Sequence, residues 1–282
     1  MEEVLQKSAK RFQKKSSRHK GILDPDHAAT RFHLSRYLPT ASLAPFVEHH
    51  WTIHWDLRGQ PPYVSEVLPH PSVNFAFTVE RAWITGVTTG MYQYEVKDVG
   101  MIVGTMFKPG GFHPFWQKTV ANLTDKVVDV AEVFPTVDEG FRHSLFGLED
   151  DEQMVARVEE LLLSRAPKFD PTLALITTIL EAVEADGDLR TVETVAERFS
   201  VSSRTLQHRF KEYTGVRLKW ILMRKRLIEA VELAAQIQDP NWAQIAADLG
   251  YSHQSHFVND FKKLVGKSPL QYVQSIHAGK HP

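Results

Sequence analysis

The chain has 282 residues, a net charge of −1 and no cysteine. That length suits two domains better than one, and the missing thiols exclude disulfides, thiolate metal sites and cysteine nucleophiles. No apolar run approaches the ~18 residues that cross a bilayer, and the first residues lack the apolar core of a secretory leader, so a cytoplasmic location is expected.

The charge is unevenly spread. Residues 1–20 carry seven Lys/Arg against two Asp/Glu, residues 21–186 carry 12 against 23, and residues 187–282 carry 14 against nine. The basic end is where phosphate attraction is expected; the acidic middle repels DNA and has another task. Residues 1–20 read as a basic flexible tail, either simply solvated or an arm that touches phosphates or a neighbouring subunit.

Residues 21–130 read as a β-rich domain. His49–Trp55 is rich in aromatic and β-branched residues, and Val73–Val79 alternates cleanly. Ala82–Val87, Met91–Val96 and Met101–Phe107 follow at short intervals, punctuated by Gly86, Gly90, Gly100 and Gly104. Short strands of this spacing predict a barrel or sandwich. The Phe107–Phe115 stretch holds two prolines and two glycines, which predicts an irregular but defined loop.

Trp51, Trp55, His70, Phe75, Phe77 and His113 are the candidates for a small-molecule pocket, with plain core packing as the alternative for the aromatics. His49, His50 and His54 raise the question of a metal, and His50 and His54 share one strand face. No HxH pair with a downstream acid stands among them, so they read as structural histidines and no metal or other cofactor is expected. The sequence also lacks a Gly-rich phosphate loop, a G-x-S-x-G elbow and an H-E-x-x-H motif, so an enzyme is not expected.

Residues 131–186 read as a helical connector. An acidic start at 148–153 opens a helix running to about Ser164, and Asp170-Pro171 is a cap followed by a proline at the first helical position. Leu173, Ile176, Leu180 and Val183 then recur at helical spacing. An apolar stripe alone does not say what it packs against: packing on the barrel is the plain reading, and dimerisation is implied only by the family resemblance given below.

Residues 187–276 contain a repeat. VAERFSVSSRTLQHRFKEYTG at 195–215 returns as IAADLGYSHQSHFVNDFKKLVG at 245–266. Ala196 matches Ala246 and Ser202 matches Ser252 at an offset of 50, whereas Phe210 matches Phe261 and Gly215 matches Gly266 at 51. One residue is therefore inserted in or just after the turn. Each copy predicts a short helix, a turn pinned by Val201 or Tyr251, a serine N-cap (Ser202, Ser252), and a second helix that buries Leu206 and Phe210 or Phe257 and Phe261. This is a doubled helix-turn-helix, whose second helix is suited to the major groove. The fold expected is α+β, with a β-rich barrel or sandwich and appended helices in front, and an all-α domain of two tandem helix-turn-helix units behind. Residues 277–282 read as a tail.

Residues from about 185 to 275 resemble the DNA-binding domain of AraC/XylS-type transcriptional regulators. The resemblance rests on Ala196, the run at 204–211, Gly215, the RLIEA run at 226–230, Gly250-Tyr251, the triplet at 255–257, Phe261-Lys262, Gly266, Ser268-Pro269 and Tyr272. It implies a joining helix, here 217–236, between two units reading adjacent major-groove segments of double-stranded DNA. By position, Arg204, Gln207 and His208 of the first unit and Gln254, Ser255 and Asn259 of the second would meet base edges. Lys211, Lys262 and Lys263 would meet phosphates. Leu218 departs from the pattern, standing where the family often has a proline.

The front domain resembles a poorly characterised sensory-type domain found ahead of such DNA-binding domains, through Leu68-Pro69-His70-Pro71, Asn74, the KPGGFHPF run and Leu123-Thr124-Asp125. That resemblance implies a regulatory role and leaves a small-molecule effector and RNA polymerase as open partners. A homodimer is inferred from the resemblance alone, and no membrane partner is expected. Two alternatives stand beside this reading: a ligand-independent regulator whose front domain only dimerises or contacts proteins, and a helical interaction protein without DNA binding.

Overall fold

Alternation along the front of the chain resolves into short antiparallel strands. The computed structural model describes residues 21–278 apart from 166, 169 and 238; the readings of residues 1–20 and of the last four residues lie outside them. A helix at Pro25–Arg31 (α1), capped by Asp24, leads into the sheets. The strands are His33–Tyr37 (β1), Val47–Asp56 (β2), Tyr63–Val67 (β3), Asn74–Phe77 (β4), Ala82–Thr85 (β5), Tyr92–Val96 (β6), Val99–Phe107 (β7) and Val127–Asp129 (β8). Six form one sheet in the order β1-β2-β7-β4-β5-β8, and β3 pairs with β6 in a second.

Period-two alternation sends successive side chains to opposite faces of the large sheet. Phe75, Phe77, Ile84, Val103 and Phe107 take one face and form the main core with Phe112, Phe115, Val158 and Leu162. Trp51, Trp55, Ala76, Trp83 and Ile102 take the other, against Tyr94 of β6. Two glycines make room there. A Cβ at Gly104 would lie 2.1 Å from the Trp51 ring, and one at Gly100 would lie 2.2 Å from the Trp55 ring. Each indole therefore occupies the space beside a glycine of its partner strand, in the register Trp51↔Gly104 and Trp55↔Gly100.

The Phe107–Phe115 stretch corrects one expectation. It is irregular only as far as Phe112, and His113–Trp116 (α2) is a helical turn with Pro114 in its first turn. Proline is tolerated there because the first-turn N–H groups have no partner within the helix.

Two helices, Glu139–Phe146 (α3) and Asp151–Leu163 (α4), follow the sheets. Asp150 caps α4 by accepting from Gln153 N at 2.8 Å. Val155, Val158 and Leu162 are wholly buried on this helix. Its acidic residues grip the even positions of β2. Glu159 accepts from Thr40 N at 2.8 Å and lies 3.2 Å from His50 Nε2, whose Nδ1 is 2.8 Å from Thr105 Oγ1. Asp151 accepts from Tyr37 and Thr52 and lies 2.8 Å from His54 Nε2. Burial opposes ionisation of both carboxylates, but these hydrogen bonds together hold both below the usual carboxylate range. Two of the histidines that suggested a metal, His50 and His54, are thus each engaged with an acid of α4.

Pro171–Ala185 (α5) is capped by Asp170, as its sequence predicts. It buries Leu173, Ile176, Ile179 and Val183. Ile179, rather than Leu180, completes the stripe; Leu180 packs half-buried at its edge. The apolar stripes of α4 and α5 are covered by the chain's own residues.

Candidate nucleic-acid interface

The C-terminal region consists of Val192–Phe199 (α6), Ser203–Thr214 (α7), Leu218–Gln236 (α8), Trp242–Asp248 (α9), Gln254–Val265 (α10) and Pro269–Ala278 (α11). The pairs α6–α7 and α9–α10 are built alike. Val201 N donates to Ala196 O at 3.0 Å, and Tyr251 N donates to Ala246 O at 2.9 Å. In each turn the preceding residue has positive φ: Ser200 at 53° and Gly250 at 78°. Leu206 and Phe210 are buried in the first unit, Phe257 and Phe261 in the second, each to 1% exposure or less. Gly215 and Gly266 end the second helices in the left-handed conformation.

The N-caps differ, and here the sequence reading needs correction. Ser202 caps α7, accepting from Thr205 N at 3.2 Å. In the second unit the cap position falls on His253, whose side chain makes no capping bond. The extra turn residue moves Ser252 one place too far out to serve.

Of the base-reading candidates, Arg204, His208, Gln254, Ser255 and Asn259 are exposed. Gln207 is half-buried, and its Oε1 has no hydrogen-bond partner among the described residues. Lys211, Lys262 and Lys263 are exposed near the C-terminal ends of α7 and α10. Neither helix carries an acidic residue in its first turn, so their positive N-terminal ends are not neutralised from within. His208 Nδ1 lies 3.7 Å from Glu212 Oε2, an exposed and therefore weak pairing.

The two units are tied together by arginines that periodicity did not single out. Arg190, just ahead of α6, donates to Asp248 O at 2.9 Å. Arg226 on α8 donates to Leu249 O at 3.3 Å and lies 4.9 Å from the centre of the Tyr251 ring. Both satisfy carbonyls at the end of α9, where a helix leaves acceptors free. The only sequence signal was the RLIEA run that contains Arg226.

The six pocket candidates are not gathered around one cavity. Trp51 and Trp55 lie between the sheets, whereas Phe75 and Phe77 are in the core on the opposite face. His113 stacks on Tyr213 of α7, with ring centres 3.8 Å apart. His70 lies 2.8 Å through Nδ1 from Ser72 Oγ, in a loop against α8 where Pro69 O accepts from Arg224. Burial, with positive Arg224 adding to it, pushes His70 down to about 3; burial likewise lowers Arg224 to about 10.

Two units of this geometry, joined by α8, define a tandem helix-turn-helix domain. A family model described as a helix-turn-helix domain matches residues 195–275, and another, described as a domain of unknown function (DUF6597), matches residues 35–129. The helix-turn-helix domain of this chain is of the AraC type. It is similar to the HTH-type transcriptional activator RhaS of Escherichia fergusonii, 34% identical over 86 residues, which are 30% of this chain and 31% of that protein. It is also similar to the regulatory protein PocR of Salmonella typhimurium, 34% identical over 95 residues, 34% of this chain and 31% of that one. The match thus spans about a third of these curated relatives. Among solved structures, the C-terminal domain of AraT, a response regulator from Geobacillus stearothermophilus, is 28% identical, with a TM-score of 0.33 over 38% of this chain and 88% of that one.

Proposed function

We propose that the chain is a sequence-specific DNA-binding transcription regulator, whose two helix-turn-helix units read adjacent major-groove segments. The observation that carries this reading is the repeated exposed face. Arg204 and His208 on α7, and Gln254, Ser255 and Asn259 on α10, project from helices whose opposite sides are buried. Arg, Gln and Asn have the paired donors and acceptors that base edges require. Lys211, Lys262 and Lys263 supply the phosphate term. Gln207 belongs to the reading set by its place on α7 beside Arg204 and His208, and its buried Oε1 has to turn outward before it can accept from a base.

The front domain regulates through its contact with the DNA-binding domain, as a module that holds partners and dimerises, with a small-molecule effector not required. The scatter of the six pocket candidates favours this form. The test is selection of genomic fragments by the full-length chain. One recurrent sequence should be enriched, and Arg204→Ala should relax it at one base position. Recovery of fragments with no common sequence would refute the reading. A saturable thermal shift with a metabolite library would restore the effector.

A further inference from the structure

Both second helices end on the front domain, and they end on the same piece of it. The hydroxyl of Thr124 donates to Gly215 O at 2.8 Å. A Cβ at Gly215 would stand 3.0 Å from Thr124 Oγ1 and 3.4 Å from Val120. In the second unit, a Cβ at Gly266 would stand 2.7 Å from Met91 Cε, and one at Gly90 would stand 3.4 Å from Lys263 O. The two matched helix ends of the repeat therefore rest on two neighbouring loops, 86–91 and 119–126.

Those loops are one body. Gly86 N donates to Lys126 O at 2.9 Å, and Asp125 N to Val87 O at 2.9 Å. The Asp125 carboxylate accepts from Thr89 N at 2.7 Å and from Thr89 Oγ1 at 2.9 Å. Any side chain at Gly86 would overlap Leu123 O, at 1.8 Å. The platform extends beyond the loops. Val87 enters the core of the first unit, and Leu68 enters that of the second. Lys267, one residue beyond Gly266, pairs with Glu66 of β3 at 3.0 Å. The residues that gave the front domain its family resemblance, around Leu68, Gly110, His113 and Thr124, thus lie on a docking face.

We propose that this platform is a gauge: it holds the two reading helices by their C-terminal ends and so fixes the spacing and rotation between the helix-turn-helix units. Arg204, Gln254, Ser255 and Asn259 remain exposed in the docked state. The gauge therefore leaves the reading faces open and sets which half-site separation suits both at once. Met91, Glu66 and Thr124 become determinants of spacing specificity although none of them stands on a reading helix. The consequence for DNA rests on the function proposed above, whereas the gauge itself is measured without DNA.

The absence of cysteine allows spin labels to be placed at Glu197→Cys and Leu270→Cys alone, one on each unit and both at exposed positions. Pulsed electron resonance on the full-length chain should give one narrow distance. Met91→Glu combined with Glu66→Lys should broaden it several-fold, and Lys267→Glu added to Glu66→Lys should narrow it again. A distance that stays narrow when the platform contacts are broken overturns the proposal, since α8 and the ties from Arg190 and Arg226 would then fix the geometry. A broad distance in the unaltered chain overturns it as well. If the Met91→Glu double variant fails to fold, Glu66→Lys with its rescue by Lys267→Glu reads the same question. Failure of the fragment selection would leave this distance result standing.

Discussion

Gly266 ends α10 at φ +78° as Gly215 ends α7 at +83°, so the two helices stop by the same device. The surroundings differ. At Gly215 the nearest atom is the Thr124 hydroxyl, tied to the glycine's own carbonyl. At Gly266 it is the free end of Met91, which can turn aside. A left-handed L-residue costs about 1–2 kcal/mol. Gly266→Ala should therefore lose about that much stability and Gly215→Ala more, read as the shift of a urea unfolding midpoint.

Ser200 holds φ 53° at the turn position where the second unit has Gly250. Its backbone strain is relieved by Ser200→Gly, which should stabilise the chain by about 0.5–1 kcal/mol after the added freedom of the unfolded glycine is deducted. Thermal unfolding followed by circular dichroism would check this; a lower melting temperature would show that the serine side chain outweighs the strain.

How far the sequence foretold this structure depended on which residues carried a period. The repeat, its buried pairs and the helix caps at Asp170 and Ser202 were legible because each is a local pattern with a local cause. The strands β1, β3 and β8 are only three to five residues long, and their pairing is set by distant neighbours. Ser252 misled because a single inserted residue shifts the cap to His253. The pocket candidates misled for a different reason. Side chains alternate between the two faces of a sheet, so Trp51 and Trp55 of β2 are separated from Phe75 and Phe77 of β4 by the sheet itself. The docking of Leu68 and Val87 into the helical cores was invisible, since no sequence pattern states which domain an exposed apolar loop will meet.

His70 supplies a pH dependence. Its folded value lies near 3 because burial and the neighbouring Arg224 disfavour the charged ring, against about 6.5 for the unfolded chain. The unfolded state therefore takes up the proton first. The stability from a neutral His70 is fully present above pH 6.5 and is lost as pH falls towards 3, with a slope of at most about 1.4 kcal/mol per pH unit. Melting temperatures at pH 7 and pH 5 should differ less in His70→Asn than in the parent chain. An equal drop in both would place the acid sensitivity elsewhere.

The two classes of DNA contact should separate in titrations. Arg204→Ala should cost about 1–3 kcal/mol on the selected site and little on unrelated DNA. Lys262→Ala should weaken both alike and reduce the slope of log affinity against log salt by about 1. An unchanged slope would remove Lys262 from the phosphate set.

The most direct test of the central claim is hydroxyl-radical footprinting of the full-length chain on its selected fragment at two salt concentrations. Protection of two adjacent segments about one helical turn apart, roughly 34 Å, and affinity falling steeply with salt are the results predicted. Protection of one segment only, or affinity indifferent to salt, would contradict a chain that reads DNA with both units.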